Sequence, residues 1–514
     1  MSKDHLEHPV SPSLFFGLFC LLFSAIFNYT VSLMASPYIA SDLGGSNDTA
    51  TYTVSFFALG NALGIPLGRA LMPRIGPVRF LIITLLLFTF FSWMCAIAPN
   101  YPFFNAARFL QGFVSGPFYA LGFFLFSALQ PKEKKALFLS ISLSIFTIGP
   151  VLGACWGGWI AYEWHWSWIF YFNIPFLLLL TWYLYYRLKG FDQGPLERLP
   201  FDAIGCFSYF VGIFCLSVIV IMGQELDWFR SPLIATLAGI GFPALLFFIF
   251  WEINHPHPIL SLHLLKKPML SFALFNLAVL FSAYFGMVIL LALWLKLWAN
   301  YTPDWIAALL GIMALTGLFP LSLISKRINR IDNRIFLSLA ILFLAISCFH
   351  TMIFDVDIDL QRIATSRLLA GLGLALFLAP IFRLCFHSLQ SVEMLQVLGL
   401  FQVVRALSSG LGASIYDTIW QRRQVFFHDR LGSKITPLSP ETQDFFSNGK
   451  ALGLEGEHAT AQLAYYLQRE ATSLALDDCF YLMACILIGL LLTFFFTFLS
   501  KKGSFVTTED KTLP

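Results

Sequence analysis

The sequence predicts an all-α polytopic membrane protein, two six-helix bundles plus an extra two-helix hairpin, with about fourteen transmembrane helices in 514 residues. Three observations carry this expectation. Charged residues are 12% of the chain, against roughly 25% in soluble domains, which need a polar surface. Apolar runs of about 20 residues recur along the chain, enough to cross a hydrocarbon core of ~30 Å as helix. The third observation is internal repetition. Arg108 and Arg367 each open a long apolar segment, and each is followed 45 positions later by the glycine of a Leu-Gly-Ala triplet, Gly153 and Gly412. Repeats of this kind imply two packed bundles with a path between them.

In order, the expected spans are 13–35, 50–70, 79–98, 103–128, 135–160, 167–187, 202–222, 231–252, 269–298, 304–324, 335–354, 365–388, 393–420 and 478–500. The first is too long for a signal h-region and lacks a clear small-x-small cleavage site, so it reads as a span. Backbone groups in lipid must be satisfied within the segment, which favours helices, and no alternating ten-residue barrel pattern appears. Segments 13–200 and 268–500 are the expected bundles, and 201–267 supplies the hairpin and linker. Segment 421–477 is the long polar insertion, in which 459–476 has the pattern of an amphipathic surface helix. Segments 1–12 and 501–514 are the expected cytoplasmic ends.

Loop charge sets the orientation. Arg69, Arg74, Arg79, Lys132, Lys134, Lys135, Lys266, Lys267 and the 326–334 cluster fall in loops on one side, whereas Asp42, Asp48, Glu163, Asp355, Asp357 and Asp359 lie on the other. The positive-inside rule places both termini in the cytoplasm. Arg422 and Arg423 run against it, in a loop near the length at which the rule weakens. The nine cysteines are scattered singly with no CxxC or Cys/His cluster, and no P-loop, HExxH or G-x-S-x-G occurs. The expectation is no cofactor, no metal, no enzymatic activity and no nucleic-acid partner.

Several stretches resemble the major facilitator superfamily, and most closely the fourteen-span drug:proton antiporters of the EmrB/QacA type. Arg108, Gln111 and Gly112 match that family's RxxQG motif. Gly149, Pro150, Gly153, Gly157 and Gly158 are similar to its antiporter motif GPxxGxxxGG, and Trp166 through Asn173 to Pro175 to its WRWIFxxNxP stretch. The resemblance implies the facilitator fold, alternating access, a bacterial inner membrane, a monomer, a small-molecule substrate in a lipid bilayer, and a periplasmic adaptor as a partner to be sought. It gives Arg108 a coupling role. It makes the span-five glycines a flat face, at i, i+4 and i+8, that seals by close helix contact.

Two departures matter. The gating loop GxLxDRxGRR reads here with Arg74, Gly76 and Arg79 kept but Pro73 in place of the aspartate, and the second-half loop carries Arg330, Asp332 and Arg334. The membrane aspartate of span one is replaced by Asn28, ahead of Thr30; an amide keeps the shape but cannot titrate. The remaining candidate proton carriers are Asp417, Glu393, Glu252 and His387. Interior cations are better supplied, by Lys296 and by Arg405 near the middle of span thirteen. Arg405 cannot reach either surface, so it is expected to face the bundle interior. Asn28, Thr30, Arg108, Gln111, Lys296 and Arg405 are thus the expected substrate and coupling path. The expected function is proton-coupled export of small organic molecules. Import or facilitation of a metabolite or metal chelate is the alternative, favoured by Asn28.

Overall fold

Among the described residues every expected span is helix over most of its length, and the departures lie where helices break or overrun. The computed structural model describes residues 12–129, 135–189, 202–327, 332–386, 391–451 and 453–499; Arg330, His387 and the tail from 500 onward lie outside them. The first half comprises α1 (Pro12–Thr30), α2 (Ser36–Asp42), α3 (Tyr52–Ile75), α4 (Pro77–Ala96), α5 (Tyr101–Ser115), α6 (Phe118–Leu129), α7 (Lys135–Glu163) and α8 (Trp168–Leu188). The hairpin is α9 (Ala203–Met222) and α10 (Pro232–Asn254). The second half comprises α11 (Pro268–Leu297), α12 (Pro303–Arg327), α13 (Asn333–Thr351), α14 (Leu360–Phe386), α15 (Ser391–Gly432), α16 (Pro440–Ala451) and α17 (Glu457–Leu499). Among the described residues ten helices are long and apolar enough to cross a membrane, and Leu14–Thr30 of α1 and Pro303–Leu318 of α12 are shorter apolar segments.

Three boundaries differ from the sequence reading. The first span ends as helix at Thr30, and residues 31–35 form a turn before α2. The fourth is two helices, α5 and α6, broken at Gly116 and Pro117, because Pro117 has no N–H to continue the ladder. The thirteenth and fourteenth do not stop at the membrane. α15 and α17 run for 42 and 43 residues, roughly 63 and 65 Å at 1.5 Å per residue, twice a hydrocarbon core. The amphipathic stretch expected at 459–476 is the leading part of α17. Arg423 pairs with Asp478, which ties the two projecting helices together.

Small residues set the helix crossings. A Cβ on Gly60 or Gly64 of α3 would overlap the carbonyl oxygens of Phe109 and Phe113, and one on Gly112 of α5 that of Phe57. In the second half Gly371 of α14 lies on Met313 and Thr316 of α12. The same rule joins α7 to α1 through Gly153 and α15 to α11 through Gly412, which rests on Ser282. The sequence repeat therefore marks equivalent helix contacts in the two halves. The hairpin packs on the first half: Tyr209 Oη donates to the carbonyl of Ala62 at 3.0 Å, and the Phe214 ring meets Phe109 edge-on at 5.6 Å.

Candidate functional site

Between the halves lies a narrow cavity of about 10 Å³, room for roughly one water molecule as the halves stand closed. The first half lines it with Tyr29 of α1, Asn61 of α3, Tyr119 of α6, and Phe146 and Pro150 of α7. The second half supplies Phe281, Tyr284 and Phe285 of α11, Leu374 of α14 and Arg405 of α15. Aromatic rings dominate, and among the described residues the only charged lining residue is a cation. Arg405 is 4% exposed. Its Nε donates to Gln402 Oε1 at 2.7 Å, one turn back on the same helix. Its guanidinium carbon stands 5.3 Å from the ring centres of both Tyr119 and Phe146. No carboxylate pairs with it among the described residues.

Arg108 is held quite differently. Asn100 caps α5 by accepting from the Phe103 N–H at 2.9 Å, which puts Arg108 two turns inside the helix. There it is fully buried. Nε donates to the Thr53 carbonyl at 3.2 Å and Nη1 to Gln111 Oε1 at 2.7 Å. Nη2 reaches the Asn28 carbonyl at 3.0 Å and Ser32 Oγ at 3.1 Å. The acceptors exist because α1 stops at Thr30: carbonyls in a helix's last turn have no following turn to bond. The Phe57 ring closes the site 4.4 Å below the guanidinium.

Asn28 and Gln111 belong to this network and not to the cavity lining. Asn28 Oδ1 accepts from Asn173 Nδ2, and Asn28 Nδ2 donates to the Ser24 carbonyl at 2.9 Å. Asn173 thus gives a packing reason for the Asn-x-Pro stretch of α8. Thr30 Oγ1 donates to the Pro150 carbonyl at 2.8 Å and borders a smaller neighbouring space. Sequence reasoning missed Tyr29, Asn61, Tyr119 and Tyr284. A signal existed for Asn61, an amide in the middle of an apolar span between Gly60 and Gly64.

The α7 glycines press on α1. A Cβ on Gly157 would stand 1.7 Å from the Val31 carbonyl oxygen, one on Gly153 2.4 Å from that of Phe27, and one on Gly149 2.6 Å from Ile26 Cγ2. Gly158 meets Met34 of the same segment.

At the end from which α15 and α17 project, the halves are hydrogen-bonded to each other. Tyr29 Oη bonds Ser409 Oγ, Ser55 Oγ lies 2.8 Å from Ser414 Oγ, and Thr51 Oγ1 donates to Asp417 Oδ2 at 2.8 Å. Gln421 Nε2 adds a bond to the Asp48 carbonyl at 2.8 Å. Asp417 is buried in this seam, twelve residues or about 18 Å along α15 from Arg405.

The other expected residues fall outside both cavity and seam. Lys296 is half-buried, 4.6 Å from the Tyr38 ring centre and 5.6 Å from that of Tyr162. Glu393 pairs with Lys267 at 2.8 Å. Glu252 Oε1 accepts the Leu260 N–H and so fastens the linker after α10. Gly76, at φ +95°, makes the corner between α3 and α4, and Arg74 and Arg79 flank it. Asp332 caps α13 by accepting from the Arg334 N–H at 3.0 Å. Arg367, the repeat partner of Arg108, is also fully buried. It donates through Nη2 to Thr351 and Ser366, both at 3.0 Å, while Nε and Nη1 have no acceptor among the described residues. α11 is continuous and offers it no free carbonyls.

Residues 18–413 match the model of the Major Facilitator Superfamily. The chain is 31% identical to the fatty acid resistance protein FarB of Neisseria gonorrhoeae, over 86% of this chain and 88% of that protein. It is 29% identical to the multidrug export protein EmrB of Haemophilus influenzae, over 92% and 93%. Among solved structures it is similar in fold to a POT family transporter in complex with 5-aminolevulinic acid, with a TM-score of 0.62, 12% identity, and 96% and 98% coverage. It is also similar to a bacterial homolog of the human lysosomal transporter Spinster, with a TM-score of 0.60, 14% identity, and 96% and 100% coverage.

Proposed function

The chain belongs to the major facilitator superfamily, and on that premise we propose that it exports small organic molecules across a membrane by alternating access of its two halves. The observation that carries the reading is the cavity between the halves: it holds a cation with no carboxylate partner among the described residues and is closed at the projecting end by polar contacts between α1, α3 and α15. The names of the relatives, fatty acid resistance and multidrug export, favour export over import.

Finer assignments follow from the same reading. Residues 13–200 and 268–500 act as the rocking bodies, and 201–267 rides on the first. The basic end faces the cytoplasm of a bacterium, with both termini there and the chain in its inner membrane. Arg405 contacts substrate, and Thr30 and Lys296 border its route. Arg108, Asn28, Gln111 and the α7 glycines keep the first half rigid around that route. Arg74, Gly76, Arg79, Arg334 and Asp332 shape the loops of the basic end. Among the acids, Asp417 is the proton carrier, because it alone is buried in a seam that must part; Glu252 and Glu393 are engaged by a backbone amide and a lysine. The transporter works as a monomer. A periplasmic adaptor would meet the projecting part of α15 and α17.

Flux of an organic anion and an organic cation in proteoliposomes, with and without an imposed pH gradient, tests the reading in wild type and Asn28→Asp. Gradient-driven flux in wild type supports proton-coupled export. The facilitator reading has its own observation in Asn28, which bonds Asn173 and Ser24 and cannot titrate. It takes over if flux ignores the gradient in wild type and follows it in Asn28→Asp.

A further inference from the structure

We propose that the central cavity binds a planar aromatic monoanion that carries one hydrogen-bond donor apart from its acid group. The proposal rests on the transport reading above and names the substrate class of that site.

The charge comes from Arg405. A guanidinium removed from water without a partner is costly. The protein satisfies it only in part: Gln402 takes Nε, and Nη1 and Nη2 have no protein acceptor among the described residues. With no acid among the described lining residues, one negative charge on the ligand restores neutrality, while a cation would add a second positive charge at low dielectric. A carboxylate or similar planar acid fits the two-pronged end of a guanidinium. Arg108 cannot serve, since protein acceptors engage Nε, Nη1 and Nη2.

The donor requirement comes from two buried polar atoms with no partner. Tyr119 Oη and Asn61 Oδ1 both belong to cavity-lining side chains, and both are unsatisfied. The orientation of the Asn61 amide is fixed by its neighbours. Nδ2 donates to Ser115 Oγ at 2.9 Å, and that hydroxyl itself donates to the Gly112 carbonyl at 2.7 Å. The oxygen left over can only accept, so it calls for an O–H or N–H on the ligand. Tyr119 Oη, on the ring beside Arg405, can donate to the acid group. A saturated acyl carboxylate would satisfy Arg405 and leave Asn61 Oδ1 bare.

The aromatic requirement comes from the rest of the wall. Tyr29, Phe281 and Phe285 pack edge-on or stacked at 5.4–6.2 Å, and Tyr119 stacks on Phe146 at 5.1 Å. The free space between these faces is about 10 Å³, so a ligand enters as the halves part, and a flat ring sliding between the faces then needs the least separation and gains contact on both sides.

The test is equilibrium binding to the purified full chain in lipid nanodiscs at neutral pH, read by ligand fluorescence. The probes are 6-hydroxy-2-naphthoate, 6-methoxy-2-naphthoate, the trimethylammonium analogue with the naphthalene ring kept, and dodecanoate as a competitor. The expected order places the hydroxynaphthoate first, the methoxy compound on the order of fivefold weaker, and the ammonium compound at least tenfold weaker. Arg405→Gln should weaken the naphthoate tenfold to a hundredfold. Asn61→Ala should erase the difference between hydroxy and methoxy. Tyr119→Phe, which removes one oxygen and keeps the ring, should cost a few-fold in naphthoate affinity. If Arg405→Gln fails to fold, the wild-type contrast between anion and ammonium still decides. The proposal is overturned if the ammonium compound binds as tightly as the naphthoate, if methoxy equals hydroxy in wild type, or if dodecanoate outcompetes both naphthoates. Because binding is read without flux, loss of transport with this binding order intact would count against the export reading alone.

Discussion

Replacing Gly157 by alanine puts a methyl group where α7 touches the backbone of the α1 segment. The new Cβ would lie 1.7 Å from the Val31 carbonyl oxygen and 2.8 Å from its carbon. Ordinary C···O contacts fall at about 3.3–3.6 Å, so the two segments must separate locally by roughly 1.6 Å or more. Both atoms of the clash are backbone or Cβ, and no rotamer can relieve it. Overpacking of this kind costs about 1–3 kcal/mol and more when backbone must move; Gly157→Ala belongs at or above the top of that range. Gly153→Ala, at 2.4 Å from the Phe27 oxygen, needs a shift of roughly 1 Å and should cost less. Gly149→Ala meets Ile26 Cγ2 at 2.6 Å and Cβ at 3.1 Å, side-chain atoms and not a backbone carbonyl, and should cost least. Gly399→Ala on α15 meets nothing within 4 Å and is the control, expected to be neutral or slightly stabilising through helix propensity. The assay is the thermal midpoint of each purified variant in one detergent, with proton leak measured in vesicles alongside. The midpoints should fall in the order Gly399, Gly149, Gly153, Gly157, and leak should rise in the same order. Equal midpoints for Gly157→Ala and Gly399→Ala would refute the reasoning, because the close α1–α7 contact would then not exist.

Three further outcomes are expected. Arg108→Ala leaves the Gln111, Asn28 and Thr53 acceptors buried and bare, at about 1–3 kcal/mol each, so little folded protein should reach the membrane; normal expression and unaltered thermal stability would contradict this. Ser55→Cys with Ser414→Cys, in a background free of the native cysteines, should cross-link under mild oxidation, because the two hydroxyls sit 2.8 Å apart; the linked protein should lose flux and regain it with reductant. Asp417→Asn keeps an acceptor for Thr51 and removes the charge, so gradient-driven flux should fall at least tenfold while substrate exchange without a gradient persists, as isotope counterflow would show; unchanged gradient-driven flux would remove Asp417 as the carrier.

The spans were legible in the sequence because a lipid core demands long apolar runs, and among the described residues each of those runs is helix over most of its length. The repeat was legible too, since Gly153 and Gly412 are close-contact glycines that tolerate no side chain. Arg405 was legible as an interior charge from its distance to either end of its span. The side on which a polar residue faces was not. Asn28 sits on the same helix as Tyr29, one position apart, yet one turns toward Asn173 and the other toward the cavity. That choice depends on helix rotation, which apolar composition on all sides does not encode. The break after Thr30 was hidden for a related reason: its free carbonyls are satisfied by Arg108, distant in sequence. The overrun of α15 was hidden because the polar stretch after Trp420 reads as loop by composition while its helix is held by Asp478 and Thr472 of α17.

That overrun makes α15 a lever. One unbroken helix carries Arg405 at the cavity, Asp417 in the seam and Gly432 at its far end. From Arg405 to Gly432 is 27 residues or about 40 Å, so a rocking of about 5° centred on the cavity displaces the tip by roughly 3.5 Å. The displacement occurs in water, outside the bilayer, and α17 is fastened to move with it. If the halves rock as proposed, the occupancy of a site sealed inside the membrane would be translated into the position of a surface that a label, an antibody or another protein can touch.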